Sequence, residues 1–149
     1  MRVVAVLAAL ALPLTVAACA TPAPSPPDGP AEVLVGEDCA VIAAVAKDHY
    51  RFNTTDNRPP PIRFEGDYAP RCDWSQYGLA FETYHPDRSG DPRERVRWVS
   101  FARPAYDGRG AVVETGIMHG PLAGMGYECR VHSGFNGGTV GECRNTWIS

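Results

Sequence analysis

The chain has 149 residues, 44% of them hydrophobic, with 14 Lys and Arg against 17 Asp and Glu for a net charge of −3. Mild acidity without a basic stripe excludes an electrostatically driven nucleic-acid binder, and the length suits a single domain. The five cysteines and 14 prolines require a more specific explanation.

The first residues, "MRVVAVLAALALPLTVAAC", carry Arg2 and then an apolar run from Val3 to Ala18. The run is short for a membrane span and closes on small residues, which is the pattern of a targeting segment outside the fold. "LTVAAC" resembles the lipobox of bacterial lipoproteins, where small residues such as Ala17 and Ala18 enter the peptidase cleft and the cysteine, here Cys19, is lipidated. A plain secretory signal cut near Ala18 or Ala20 is the alternative. By the same resemblance, a residue other than Asp after the cysteine, here Ala20, implies a lipid anchor on the periplasmic face of the outer membrane. Removing the segment takes away Arg2 and no acid, leaving 13 basic against 17 acidic residues, or −4.

The next stretch, "ATPAPSPPDGP", places five prolines between Pro22 and Pro30. Such a composition favours extended, solvated backbone and cannot build a core. The expected organisation is a lipoprotein signal over 1–18, a Pro-rich tether over 19–32 and one α+β domain over 33–149.

With Cys19 set aside, Cys39, Cys72, Cys129 and Cys143 remain, an even set that in an exported domain predicts two disulfides with three possible connectivities. No C-x-x-C pair or tight Cys/His cluster is present, so no metal site is expected.

Residues 37–52, "EDCAVIAAVAKDHYRF", predict the chain's one long helix. Val41, Val45 and His49 recur every four residues beside Ile42, Ala46 and Tyr50, giving an amphipathic stripe. Glu37 and Asp38 at the start complement the helix dipole, and Pro59–Pro61 forbid continuation. Strands are then expected over 62–66, 77–85, 94–103, 110–120, 126–133 and 138–149. The third of these shifts phase near Val99, which predicts a bulge or a strand buried on both faces. The turns fall at "HPDRSGDP", "DGRG", "GPLAG" and "FNGG". One N-terminal helix packed on a four- to five-stranded antiparallel meander sheet is the expected α+β fold.

The last hairpin supplies a register test. If Cys129 faces Cys143, Glu128 falls opposite Arg144 and Arg130 opposite Glu142, two opposite-charge cross-strand pairs, with the turn centred on Asn136. This favours Cys129–Cys143, leaving Cys39–Cys72.

Two segments invite a chemical reading. "HGPLAGMG" holds Gly120, Gly124 and Gly126, but a strand follows, Pro121 removes a donor, and no Lys-Ser or Lys-Thr pair is present. A strand-to-strand corner turned by glycines is expected, with no cofactor. His119 shares the alternation of Val113, Thr115 and Ile117, which predicts that it points to the concave side of the sheet. If it met His49 near Asp48, Glu114 or Tyr50, acid–base chemistry would be available. Ser100 and Ser133 lack a nucleophile elbow, and "DHYRFNTTDN" lacks calcium-loop spacing.

The C-terminal third resembles small exported bacterial proteins of uncharacterised function that share a GPLxGxGY…WxS ending. The matching residues are Pro104, Gly120, Pro121, Leu122, Gly124, Gly126, Tyr127, Trp147 and Ser149, while Thr139 departs from that group's aromatic. The resemblance implies an α+β sheet of cystatin-like or nuclear-transport-factor-2-like shape and carries no activity. The function expected is a non-enzymatic envelope lipoprotein that binds a partner protein or small ligand on the concave face near His119, Tyr127 and Trp147. The alternatives are a periplasmic inhibitor of a lysozyme or protease, and a hydrolase or isomerase dependent on His119.

Overall fold

Apolar spacing in the first segment does produce a helix, α1, over Glu37–Ala44, which widens into a π-helical turn over Val45–His49. In this computed structural model the described residues are 37–87, 90–133 and 138–149. The leader 1–18, Cys19, the tether 19–32 and the hairpin turn at Asn136 lie outside them. The helix stops short of the expected residue 52, for identifiable reasons. Tyr50 N–H bonds Val45 O at 3.3 Å, Arg51 takes a positive φ of 61°, and Phe52 N–H reaches Ala46 O at 3.0 Å. The Asn57 amide donates to the carbonyls of Tyr50 and Arg51 at 3.0 and 3.1 Å, satisfying acceptors that a helix end leaves free. Phe52 thereby turns inward and is buried.

The sheet has six strands: β1 Ile62–Phe64, β2 Trp98–Phe101, β3 Ala105–Asp107, β4 Gly110–Gly120, β5 Ala123–His132 and β6 Thr139–Ile148. They lie in the order β1-β2-β4-β5-β6, with β3 also pairing β4. β1 runs parallel to β2, and every other pairing is antiparallel. The sheet is therefore mixed, which corrects the expected antiparallel meander. The long connection 65–97 lets the chain return in the same direction, as parallel neighbours require.

Two expected strands change on folding. Over 77–85, Leu79 is buried and Phe81 packs on the core, so the alternation is real, yet the segment meets the sheet only at an Ile62–Thr83 bridge. Gly78 at φ 68° ends a 3-10 turn, Trp74–Tyr77, and takes up the start of that segment. In 94–103, the first residues belong to a short helix, α2 (Pro92–Arg95), capped by Asp91. The phase shift near Val99 is the boundary between that helical turn and β2. Within β2, Val99 and Phe101 are buried on the helix side and Ser100 is buried on the other. The unexpected β3 follows Pro104 and pairs the start of β4.

The helix lies on one face of the sheet. Ile42 and Val45 meet Val99, Phe101, Val113, Cys129 and Val131 in the core. Cys39–Cys72 fixes the helix to the connection, and Cys129–Cys143 joins β5 to β6. Glu128 stands opposite Arg144 and bonds it at 2.7 Å. The other expected pair is absent because β6 shifts register between Cys129 and Val131, and Arg130 instead bonds Asp107 at 2.6 Å.

Candidate functional site

The pleat divides the sheet into two chemically different faces. Toward the helix point Val99, Phe101, Ala111, Val113, Thr115, Ile117, Tyr127, Cys129 and Val131. The alternate positions form the open face: Trp98, Ser100, Glu114, Gly116, Met118, Gly124, Gly126, Glu128, Arg144 and Trp147.

The glycines of "HGPLAGMG" do a different job from the one expected. The positive φ at the β4–β5 corner belongs to Leu122, at 57°, while Gly120, Gly124 and Gly126 have no positive φ. Pro121 holds the first turn position at a negative φ, and the second then takes the left-handed conformation. What Gly124 and Gly126 provide, together with Gly116 of β4, is room. A Cβ on Gly126 would overlap the Nε1 edge of the Trp147 indole. One on Gly116 would lie 3.0 Å from Trp147 Cζ2, and one on Gly124 would lie 3.1 Å from Trp147 Cζ3. Three perpendicular vectors from two strands thus strike the ring from its pyrrole side to its far benzo edge. The indole of Trp147 therefore lies flat on a glycine floor with its other face outward, and the residue is 39% exposed.

This ring is part of a strip. The same Gly116 position is 3.6 Å from Trp98 Cζ3, and the Gly124 position is 2.8 Å from Met118 Sδ. Arg63 stacks on Trp98 with its guanidinium carbon 4.3 Å from the ring centroid. Beside the strip runs a charged row in which Glu114 of β4 faces Glu128 of β5, and Glu128 faces Arg144 of β6. Glu114 is exposed and makes no ion pair among the described residues.

The helix-covered face holds the other candidates. His49, placed by the widened last turn of the helix, meets Tyr127 edge-on at 4.4 Å and Tyr50 at 4.7 Å. Burial holds its pKa below the usual 6.5. The Tyr50 hydroxyl bonds Thr115 Oγ1 at 3.1 Å, and burial is the main cause that pushes its pKa up to about 12. His49, Cys129 and Cys143 place one ligand atom each within 4.8 Å of one another. The two sulfurs are bonded together, however, so neither is a thiolate able to ligate metal. At the other end of the helix, Asp38 accepts from Tyr68 at 2.7 Å and Tyr106 at 2.6 Å. Burial and the Asp38 carboxylate raise both phenols above their ordinary range. This bridge ties the helix start to β3.

His119, Tyr127 and Trp147 are not brought together. Tyr127 packs under the helix, Trp147 lies on the opposite face, and His119 is exposed at a bulge between Met118 and Gly120. The bulge adds a residue and breaks the alternation that aimed His119 inward. Of the groups expected around His49, Tyr50 touches it, Asp48 is exposed, and Glu114 belongs to the far face. His85 and His132 are also exposed. The glycine floor, the Arg63–Trp98 stack and the Asp38–tyrosine bridge were all missed from sequence. Glycines at alternate positions, Gly124 and Gly126, were the available signal for the first.

No protein-family model, curated protein or solved structure matches the chain.

Proposed function

We propose that this chain is an exported, lipid-anchored binding module of the bacterial envelope. It is non-enzymatic and belongs with the small exported proteins that share the GPLxGxGY…WxS ending and a cystatin-like or nuclear-transport-factor-2-like shape. Cys19 carries the acyl anchor, residues 19–32 act as the spacer, and the domain stands at the periplasmic face of the outer membrane. The observation that supports a binding role is Trp147 lying flat on Gly116, Gly124 and Gly126, one face outward, on the side of the sheet away from the helix. Large aromatic faces held rigid at a surface are efficient contact groups because little side-chain freedom remains to be lost.

Two measurements on the full-length chain test this reading. Radiolabelled palmitate enters the wild-type protein and is absent from Cys19→Ala. The wild-type protein, solubilised in detergent, is retained on immobilised envelope material, and Trp147→Ala abolishes retention. An unlabelled wild type ends the anchor, and retention indifferent to Trp147 ends the binding face. A second reading, an enzyme inhibitor that inserts its tip into a cleft, is favoured by Leu122, 88% exposed at the Pro121–Leu122 corner. Leu122→Gly would then abolish inhibition of an envelope lysozyme or protease while leaving envelope retention intact.

A further inference from the structure

The open face is specific enough in its chemistry to say what it would hold. We infer that the Trp147–Met118–Trp98 strip is a stacking platform for a flat, β-1,4-linked oligosaccharide. This rests on the binding role proposed for that face. The strip crosses β6, β5, β4 and β2, three strand spacings or about 14 Å at ~4.8 Å each. That is the reach of a short oligosaccharide rather than of one sugar ring. An extended β-linked chain presents flat apolar C–H faces with hydroxyls around the edge. The platform matches both features: the outward indole face of Trp147, then Met118 and Trp98 capped by Arg63 along its length, and Glu114, Glu128 and Arg144 along its margin.

The charged row argues against other occupants. The core of a protein–protein interface is depleted in Glu, yet two carboxylates stand in the next row along the strands from Trp147. The same carboxylates repel a nucleic-acid backbone. Glu114 and Glu128 are directly opposed across the strands, an arrangement that costs stability, and among the described residues only Glu128 has a cationic partner. Sugar hydroxyls donate hydrogen bonds to carboxylates, so a bound saccharide relieves a repulsion that the fold leaves in place. Glu114 then accepts from the hydroxyl edge while the ring stacks on Trp147.

Calorimetric titration of the full-length chain in a sugar-free detergent provides the test, with cellohexaose and chitohexaose as probes and maltohexaose as the coiled, α-linked control. At least one β-linked hexasaccharide is expected to bind saturably, with maltohexaose roughly tenfold weaker or more. Trp147→Ala should weaken binding by roughly tenfold or more, and Glu114→Gln by a few-fold with a melting temperature no lower than that of wild type. Trp147→Phe, which retains a stacking ring, should bind within a few-fold of wild type, and Trp98→Ala gives a second loss if Trp147→Ala does not fold. The inference is overturned if neither β-linked probe binds at millimolar concentration, if maltohexaose binds as tightly, or if removing the tryptophans leaves affinity unchanged. If the probes fail while envelope retention still depends on Trp147, the saccharide is wrong and the binding module stands. If both fail, both fall.

Discussion

The two faces of β4 and β5 are written in the same strands yet solved in opposite ways. Toward the helix, Val113, Ile117, Cys129 and Val131 fill space, and the apolar bulk they remove from water stabilises that face. On the other face, Gly116, Gly124 and Gly126 remove bulk, so that one ring carried by β6 can lie across β5 and reach β4. A period of two lets a single strand carry both arrangements without compromise. One face is built to be closed, the other to remain available. Five variants break or sharpen this contrast.

The largest effect belongs to the closed face. Phe101 is fully buried against the rings of Tyr50 and Phe81, at 6.4 Å each. Phe101→Ala should cost about 3–5 kcal/mol in chemical denaturation, through lost burial and the cavity left behind. A loss below 1 kcal/mol would mean that the helix does not close this face. Next comes the hairpin register, pinned once on each face. Removing Cys129–Cys143 by a double Ala substitution releases a link across 14 residues and should cost about 3 kcal/mol. On the open face one step along, Glu128–Arg144 is solvated, and Arg144→Ala should cost only ~0.2–1 kcal/mol. Equal losses would remove the distinction between a buried and a solvated pin.

Gly126→Ala addresses the open face directly. Its Cβ overlaps the indole, so the ring must lift or the strands must part, at about 1–3 kcal/mol. Tryptophan emission should shift to longer wavelength as Trp147 enters water. A silent Gly126→Ala would show that the ring does not rest on the glycines.

The closed face was the more readable of the two from sequence. Strong alternation placed β4 over residues 110–120, and the charge match at Glu128 and Arg144 selected the correct cysteine pairing. Local patterns suffice for such features because each involves one strand or one hairpin. The same reasoning failed at Arg130, where a bulge displaced Glu142 and a residue of β3 took its place. It failed at His119 for the same cause, since one inserted residue reverses the side to which a strand residue points. The open-face site was hidden for a further reason. Gly126 pairs with Trp147 only because β6 shifts register between Gly126 and Tyr127, and no local pattern announces that shift. Glycines read alone suggest turns, and only their neighbour across the sheet shows that they form a floor.

The smallest effect is a titration at the seam between helix and closed face. His49 sits against Tyr127 and Tyr50, and burial lowers its pKa from 6.5. A lowered histidine binds its proton less readily folded than unfolded, so the unfolded state takes up more protons over the interval between the two values. The contribution of His49 to stability is therefore present above its ordinary pKa of 6.5 and is lost as the pH falls from there through the lowered folded value. His49→Gln removes the titrating group, and the slope of stability against pH between about 7 and 5 should flatten relative to wild type. Resolved imidazole proton resonances should place the His49 midpoint below 6.5. Identical slopes in the two proteins would show that the widened helix turn leaves His49 in water, and with it that the closed face ends one turn earlier than the contacts of Tyr127 imply.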